Sequence, residues 1–337
     1  MMGIKTICIC GGGSLGTVCA GVFASQGIKT LVLSGHPEKW SRRVEVYDPD
    51  GKLYGGPIYN VSARPEDVIP QADLVLCCLP GYLIEETLLK IKPHLAANAM
   101  VGSIVSSTGF FFAAHDVLDE TTGLFGFQRV PFISRTRTYG AAADLLGYKT
   151  SLNVAVEHCE NPETFAEQLS QLFLTPVHLL RNYYEASLTN SNPILHTGRL
   201  YTMWSRHDGT PFACQSLFYR EWTDEASEML LAMDAEFMTL VRTLGIAEGV
   251  IPSLLDYYES TDAHSLTRKI QSIEAFAHIL SPMKPCEGGW LPDYGSRYFT
   301  EDFPYGLRFI KMLAEKHQID TPCIDRVLAW GMSKINA

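Results

Sequence analysis

One six-residue stretch constrains this chain more than any other: Gly11-Gly12-Gly13-Ser14-Leu15-Gly16. It follows an apolar, β-prone run, Ile4-Lys5-Thr6-Ile7-Cys8-Ile9-Cys10, and precedes Thr17 to Gln26, a stretch rich in Ala and Val that reads as a helix. Gly11, Gly13 and Gly16 thus fall at the G-x-G-x-x-G spacing in a strand, turn and helix context. Each glycine has a physical task there. The first lets the chain reverse sharply, the second carries no Cβ to hold off a pyrophosphate, and the third lets the helix approach the strand. The helix N-terminus then turns its amides and dipole toward an anion. A ligand-free glycine turn has the same spacing, but the strand before it and the helix after it favour a dinucleotide. Gly11, Gly13, Ser14, Leu15 and Gly16 are its expected contacts.

The second strand bears on which dinucleotide. Ile28 to Leu33 is another apolar run, and it ends in Ser34-Gly35-His36. Sites for NAD place Asp or Glu at this strand end, about 20 residues past the glycines, on the ribose hydroxyls. No acid stands there. The loop reads His36-Pro37-Glu38-Lys39-Trp40-Ser41-Arg42-Arg43, so Ser34, Lys39 and Arg42 offer the donors that a 2′-phosphate wants. The plainer alternative is a solvated basic loop. NADP is the expected cofactor, with NAD the other one such a site can take. Leu79 and Pro80, which close the apolar run from Asp73, stand at a strand end where ligands of open α/β sheets bind, as do Ser106-Ser107-Thr108.

A length of 337 residues is enough for two domains. Residues 1–181 alternate strand-like and helix-like pieces, the pattern of an α/β domain with a Rossmann-type, doubly wound sheet. Within it, Val44 to Ile58 reads as two short strands around a Pro49-Asp50-Gly51 turn, and Tyr82 to Leu95 as a helix. Further strands are expected at Ala99–Ser107, Gly123–Phe127, Val130–Ile133, Thr150–Val156 and Pro176–Leu179. Residues 182–337 read as an all-helical C-terminal domain. Thr223 to Leu244 is its clearest helix, with Thr223 as cap, Gly245 as stop, and Ala226, Met229, Leu230, Met233, Phe237, Leu240, Val241 and Leu244 as one apolar stripe. Ala263 to Leu280 and Tyr305 to His317 read as helices too, separated by an irregular Gly-, Pro- and aromatic-rich stretch at Ser281 to Pro304.

The totals exclude several functions. A net charge of −10 argues against binding nucleic acid or an anionic membrane. No apolar run reaches the roughly 18 residues of a membrane span, and the chain enters a strand at once, so neither a span nor a leader is expected. Nine cysteines is an odd number, and Cys8, Cys10, Cys77 and Cys78 sit in apolar strands, which suits core residues in a reducing, cytoplasmic compartment. His158-Cys159, His264 and His278 lack partners at metal-ligand spacing, so no metal is expected.

Two clusters in the second domain carry possible chemistry. Asn192-Pro193 reads as a helix start with Asn as cap, which sets His196 one turn in. Tyr294-Gly-Ser-Arg297-Tyr-Phe-Thr-Glu301-Asp302-Phe-Pro-Tyr-Gly306 reads as a loop whose acids could cap the next helix. Each has a bland alternative, a structural histidine and a capping loop. Taken together, Asn192-Pro193-Ile-Leu-His196 and Arg297-Tyr298-Phe-Thr-Glu301-Asp302-Phe-Pro304-Tyr-Gly306-Leu307 resemble the N-P-x-x-H and R-Y-x-T-E-D-x-P-x-G-L patterns of the opine dehydrogenase family, which includes the octopine and nopaline enzymes. Pro131 to Arg135, Gly140 and Thr321-Pro322 extend the resemblance across the chain, although the family's usual Trp near Pro131 is missing.

The resemblance implies an enzyme that condenses an amino acid with a 2-oxo acid and reduces the imine by hydride transfer. It implies His196 as general acid and base, Asp302 as the partner that orients its imidazole, and Arg297 as a clamp on a substrate carboxylate. Asn192 either orients substrate or only caps its helix, and Arg135 is a further candidate for an anionic substrate. Two other readings compete. One is a 2-oxo acid or 3-hydroxy acid reductase on the ketopantoate reductase plan, which uses a lysine where this chain has His196, and no lysine occurs between Lys149 and Lys269. The other is a nucleotide-binding redox sensor, which would have no need of His196, Arg297 and Asp302 together. As for partners, a homodimer is left open: the aromatic stretch Trp204 to Trp222 would cover either a cleft or a second subunit.

Overall fold

The computed structural model describes residues 3–335, so the outermost two residues of each expected domain lie outside the described residues. The chain divides into two compact units, one ending at Ser187 and the other beginning at Leu188. The division falls a little beyond Arg181, where the sequence changes texture.

The first unit is built on one eleven-stranded sheet. Its strands are β1 (Thr6–Cys10), β2 (Lys29–Leu33), β3 (Arg43–Tyr47), β4 (Leu53–Ser62), β5 (Leu74–Cys77), β6 (Met100–Ser103), β7 (Gly123–Phe127), β8 (Phe132–Thr138), β9 (Ala142–Tyr148), β10 (Leu152–Glu157) and β11 (Val177–Leu179). They lie in the order β11-β10-β7-β6-β5-β1-β2-β4-β3-β9-β8. The middle six, from β4 through β2, β1, β5 and β6 to β7, are all parallel. That is the doubly wound order, and the direction of winding reverses between β1 and β5.

Among the described residues, five α-helices belong to this unit: α1 (Ser14–Ser25), α2 (Ile84–Ile91), α3 (Phe110–Val117), α4 (Pro162–Phe173) and α5 (Tyr183–Ser187). They explain why the inner strands are continuous apolar runs rather than alternating ones, since both faces of the sheet are covered. Ile7 and Ile9 pack with Val18, Val22 and Phe23 on one side. Cys8, Cys10, Val75 and Cys77 pack with Leu88, Phe110 and Ala114 on the other. Cys8, Cys10, Cys19 and Cys77 are free and buried. A hydrogen bond with Cys10, together with burial, holds the Cys77 thiol well above its ordinary range, so Cys77 is a packing group and not a nucleophile.

The outer strands are where the sequence said least. The β3–β4 hairpin turns at Gly51, whose φ of 80° explains the glycine. Of the piece expected at Val130–Ile133, only Phe132 and Ile133 are strand, the start of the longer β8, and its antiparallel partner β9 was not legible. β8 reads Phe-Ile-Ser-Arg-Thr-Arg-Thr, a polar edge strand whose cations make it look like a loop.

The second unit contains α6 (Asn192–Trp204), α7 (Asp224–Thr243), α8 (Leu254–Tyr257), α9 (Ala263–Ser272), α10 (Arg297–Thr300), α11 (Arg308–Lys316) and α12 (Pro322–Ile335). Thr223 caps α7 by accepting the Ala226 N–H, and the expected stripe is buried at Ala226, Leu230, Met233, Phe237, Leu240 and Val241. Glu236 of α7 then accepts the Cys323 and Ile324 N–H groups at 2.8 and 2.9 Å, which ties down the start of α12. Two expectations need correction. α9 stops at Ser272, not Leu280, because Arg220 takes the Gln271 carbonyl at 2.9 Å and Ile273 turns to an extended conformation. The stretch from Ser281 to Pro304 is not irregular throughout. It holds a hairpin, β12 (Met283–Cys286) and β13 (Gly289–Pro292), turning at Gly288 and Gly289 with φ of 85° and 143°, so the unit is helical with one two-stranded insert. Among the described residues, no helix is long and apolar enough to cross a membrane.

Candidate active site

The site in the second unit begins with α6. Asn192 is its first residue and Pro193 follows, while Ser191 stands at the cap position without a capping bond. The expected capping role of Asn192 is therefore corrected: its own N–H is taken by the Asn190 side chain at 3.2 Å. His196 comes one turn later, with 8% of its surface exposed. Its Nδ1 lies 2.8 Å from Asp302 Oδ2, and its Nε2 lies 2.8 Å from the Tyr219 hydroxyl. With a carboxylate on one side the network assigns the proton to Nδ1, which leaves Nε2 to accept from Tyr219. A buried imidazole, a half-buried carboxylate and a buried phenol form one hydrogen-bonded line.

Asp302 reaches His196 across 106 residues of sequence because two packing contacts place it. The residues after it, Phe303–Leu307, wind as a π-helical turn, with the Leu307 N–H donating back to the Asp302 carbonyl at 2.8 Å. A Cβ on Gly306 would lie 2.6 Å from Pro193, and one on Gly331 would lie 2.0 Å from Phe303. The turn is thus pressed between α6 and α12, and only glycine permits either approach. Wide turns of this kind often mark functional sites.

Tyr219 is held just as firmly. Its ring stacks on Phe276 with centroids 4.5 Å apart and lies beside Phe218 and Trp222. Arg199, three residues after His196 on α6, donates to the carbonyls of Glu221 at 2.6 Å and Phe218 at 3.3 Å, and so clamps the segment that carries Tyr219. Burial pushes the Arg199 guanidinium down to about 10, still charged at neutral pH. Burial also raises the Tyr219 phenol far above its ordinary value, so it stays a neutral donor. Tyr298 packs its ring 4.6 Å from the His196 ring, and its phenol is raised by burial and by the Asp302 charge. The aromatic stretch from Trp204 to Trp222 thereby gains an assignment: Phe218, Tyr219 and Trp222 are buried within this unit, around the imidazole. Arg297 opens α10 but is exposed, and its neighbour Tyr298 is the one turned to His196.

The glycine turn of the first unit is a cradle made of backbone. Gly11 has a φ of 112°, and a Cβ there would lie 2.6 Å from the Cys78 carbonyl oxygen. A Cβ on Gly16 would lie 2.3 Å from the Gly11 oxygen. Gly13 is different: a Cβ there would meet nothing within 4 Å. It is exposed at the cap of α1, no side chain caps that helix, and no acid occupies its first turn. Open space in front of unpaired helix amides is what a pyrophosphate requires, so these residues fit a dinucleotide. A cavity of about 360 Å³ adjoins the turn, bordered by Gly11, Gly12, Ser34, His36, Leu79 and Tyr139.

The remaining expected cofactor contacts fall variously. Ser34 is buried at the end of β2, and Leu79 reaches the Gly11 turn. Pro80 follows it, half-buried, at the start of a tight turn that leads to α2. Leu15 is half-buried against the core, leaving only its backbone for a ligand. The Ser14 hydroxyl is bound to Thr136 at 2.8 Å, so it too offers its backbone. Lys39 and Arg42 are exposed on the loop beyond, where His36 pairs with Glu38 at 3.4 Å. Arg135 lies exposed on β8, one residue before Thr136 and so on the opposite face from the Ser14 contact. Tyr219, Tyr298, Arg199 and Tyr139 escaped the sequence reading. Tyr298 lies inside the second motif, Arg199 one turn from His196 and Tyr219 within the aromatic stretch from Trp204 to Trp222, which were usable signals, whereas Tyr139 had none.

Comparison with known proteins gives four findings. A family model described as NAD/NADP octopine/nopaline dehydrogenase, alpha-helical domain, matches residues 179–335. The octopine dehydrogenase of Pecten maximus is 26% identical over 361 residues, covering 98% of this chain and 90% of that protein. Among solved structures, octopine dehydrogenase with NADH and L-arginine superposes with a TM-score of 0.86 at 24% identity, covering 98% of this chain and 89% of that one. Yersinopine dehydrogenase with NADP+ bound gives 0.75 at 11% identity, covering 98% and 91%, a likeness of fold.

Proposed function

This chain belongs to the opine dehydrogenase family, oxidoreductases acting on CH–NH bonds, and on that premise we propose that it uses NADP to condense an amino acid with a 2-oxo acid. The bound cofactor supplies the hydride that reduces the imine. The observation that carries the reading is His196, fixed at Nδ1 by Asp302 and presenting Nε2 as a proton acceptor. In the resting site Tyr219 occupies that nitrogen, so the substrate amine takes its place when it binds. His196 then takes a proton from the ammonium form of the substrate, which frees the nitrogen to attack the oxo carbon. A second nitrogen proton passes to the oxo oxygen, and the imidazolium gives its proton to the hydroxyl so formed, which leaves as water and leaves a protonated imine. Asp302 stabilises the imidazolium formed in between.

Arg297 is the proposed clamp on a substrate carboxylate: it is exposed, planar and one residue from Tyr298. Asn192 and Arg135 are secondary candidates for substrate contact. NADP is preferred to NAD because Ser34 stands where an acid would meet the ribose hydroxyls and because Lys39 and Arg42 are exposed nearby. Nine thiols, four of them in the core, suit a reducing compartment such as the cytoplasm.

The test is nucleotide oxidation by the purified protein with 2-oxo acids, with and without each amino acid, using NADPH and NADH in parallel. Oxidation that requires both partners supports imine reduction, and faster reaction with NADPH supports the cofactor. Turnover with an oxo acid alone would replace this reading with that of a simple oxo acid reductase.

A further inference from the structure

Tyr139 lies in the turn between β8 and β9, outside the six-strand core that carries the glycine cradle. That turn is tied to the loop after β2. Gly140, with φ of 65°, packs so closely on Trp40 that a Cβ would lie 2.9 Å from it, and its carbonyl accepts the Ser41 N–H at 3.0 Å. The Tyr139 ring stands edge-on to His36 and Trp40, with centroids 6.4 and 6.3 Å away. Its hydroxyl reaches 3.2 Å from Ser34 Oγ, and a Cβ built on Gly12 would lie 2.2 Å from the same oxygen.

Those two neighbours mark a place. Gly12 belongs to the turn that receives the pyrophosphate, and Ser34 stands at the end of β2, where this fold holds the adenosine ribose. The phenol bridges them, at the border of the 360 Å³ cavity. We propose that Tyr139 is a cofactor-specificity residue whose hydroxyl, with that of Ser34, binds the 2′-phosphate of NADP. The proposal rests on reading this cavity as the dinucleotide site. Two neutral hydroxyls give up one mutual hydrogen bond and gain two charge-assisted ones to a dianion. Among the described residues that line the cavity, the one carboxylate, Glu86, is exposed and paired with Lys90. Ser34 also accepts the His36 N–H at 3.1 Å, and Glu38 of the loop is exposed and paired with His36.

The experiment uses fragments of the cofactor, titrated calorimetrically into the full chain: adenosine 2′,5′-bisphosphate and 5′-AMP. Wild type is expected to bind the bisphosphate more tightly. Tyr139→Phe keeps the ring, and it should weaken the bisphosphate by roughly ten- to hundredfold, the cost of one hydrogen bond to a charged group. The affinity for 5′-AMP and the melting temperature should stay as in wild type. Equal weakening of both fragments, no change in either, or tighter binding of both would each overturn the role of the hydroxyl. A wild type that binds neither fragment would overturn the dinucleotide site itself. A wild type that binds both alike would overturn the NADP preference, and the specificity role with it.

Discussion

The glycine cradle and the His196 site are built from opposite materials. The cradle is backbone: glycines that make room, helix amides without a capping side chain, and exposed cations nearby. The His196 site is side chains, buried or half-buried and held by hydrogen bonds and packing, with Asp302, Tyr219, Arg199 and the Gly306 and Gly331 contacts holding the imidazole from several directions. The difference teaches where precision is needed. A dinucleotide brings its own charges and shape, and open amides are enough to receive them. A proton acceptor must be aimed and its tautomer set before the substrate arrives, and only a packed network does that.

The contrast can be broken by variants that touch one material at a time. Asp302→Asn should have the largest effect, since an amide no longer fixes the Nδ1 proton or stabilises the imidazolium. A loss of roughly 10²–10⁴ in kcat is expected, read by steady-state rates, with nucleotide affinity unchanged. A variant that turned over normally would remove Asp302 from the chemistry.

Gly13→Ala probes the other side. The added methyl meets nothing in the protein, so the melting temperature should hold. Against a bound pyrophosphate it should cost about 1–3 kcal/mol of overlap, or ten- to hundredfold in nucleotide affinity. An undiminished affinity would show that no phosphate sits there. Gly16→Ala would be a poor substitute, because its Cβ would lie 2.3 Å from the Gly11 oxygen and disturb the turn itself.

Tyr219→Phe should act more gently than Asp302→Asn and in the opposite direction, because the neutral hydrogen bond to His196 Nε2, worth about 0.5–1.5 kcal/mol, no longer has to be broken when the amine binds. A gain of a few-fold to about tenfold in kcat/KM is expected. A loss as large as that of Asp302→Asn would make the phenol a proton carrier in its own right.

The smallest effect concerns stability alone. Burial pushes Asp234 up to about 6 while it accepts the Leu254 N–H at 3.0 Å. A carboxyl raised in the folded state favours folding when protonated. Its contribution is therefore full below about pH 4 and lost as pH rises through 6, at most about 3 kcal/mol. Wild type should lose melting temperature between pH 5 and 7.5, and Asp234→Asn should lose less. Parallel curves for the two would exclude Asp234 as the source.

The same contrast decides what could be read from sequence. The cradle was legible because its parts lie within one strand, turn and helix, and glycine spacing encodes the geometry locally. The inner strands were legible from their apolar runs. β9 and the extent of β8 were not, since a polar edge strand alternates with few large apolar residues. His196 and Asp302 were legible only through the two motifs, and the structure shows why those motifs are so long. In the second, Phe299, Phe303, Gly306 and Leu307 are packing residues that carry Asp302 to its place. Tyr219 was hidden because its link to His196 depends on where Arg199 draws residues 218–221, a tertiary contact without a periodic trace. The premature end of α9 has the same origin, in Arg220.

The most direct measurement pairs two readings on His196→Ala: NADPH affinity by fluorescence titration, and NADPH oxidation with an amino acid and 2-oxo acid that wild type accepts. The account predicts wild-type affinity with oxidation reduced by roughly 10²–10⁴-fold. Oxidation near the wild-type rate would contradict it, since the proton chemistry would then lie elsewhere.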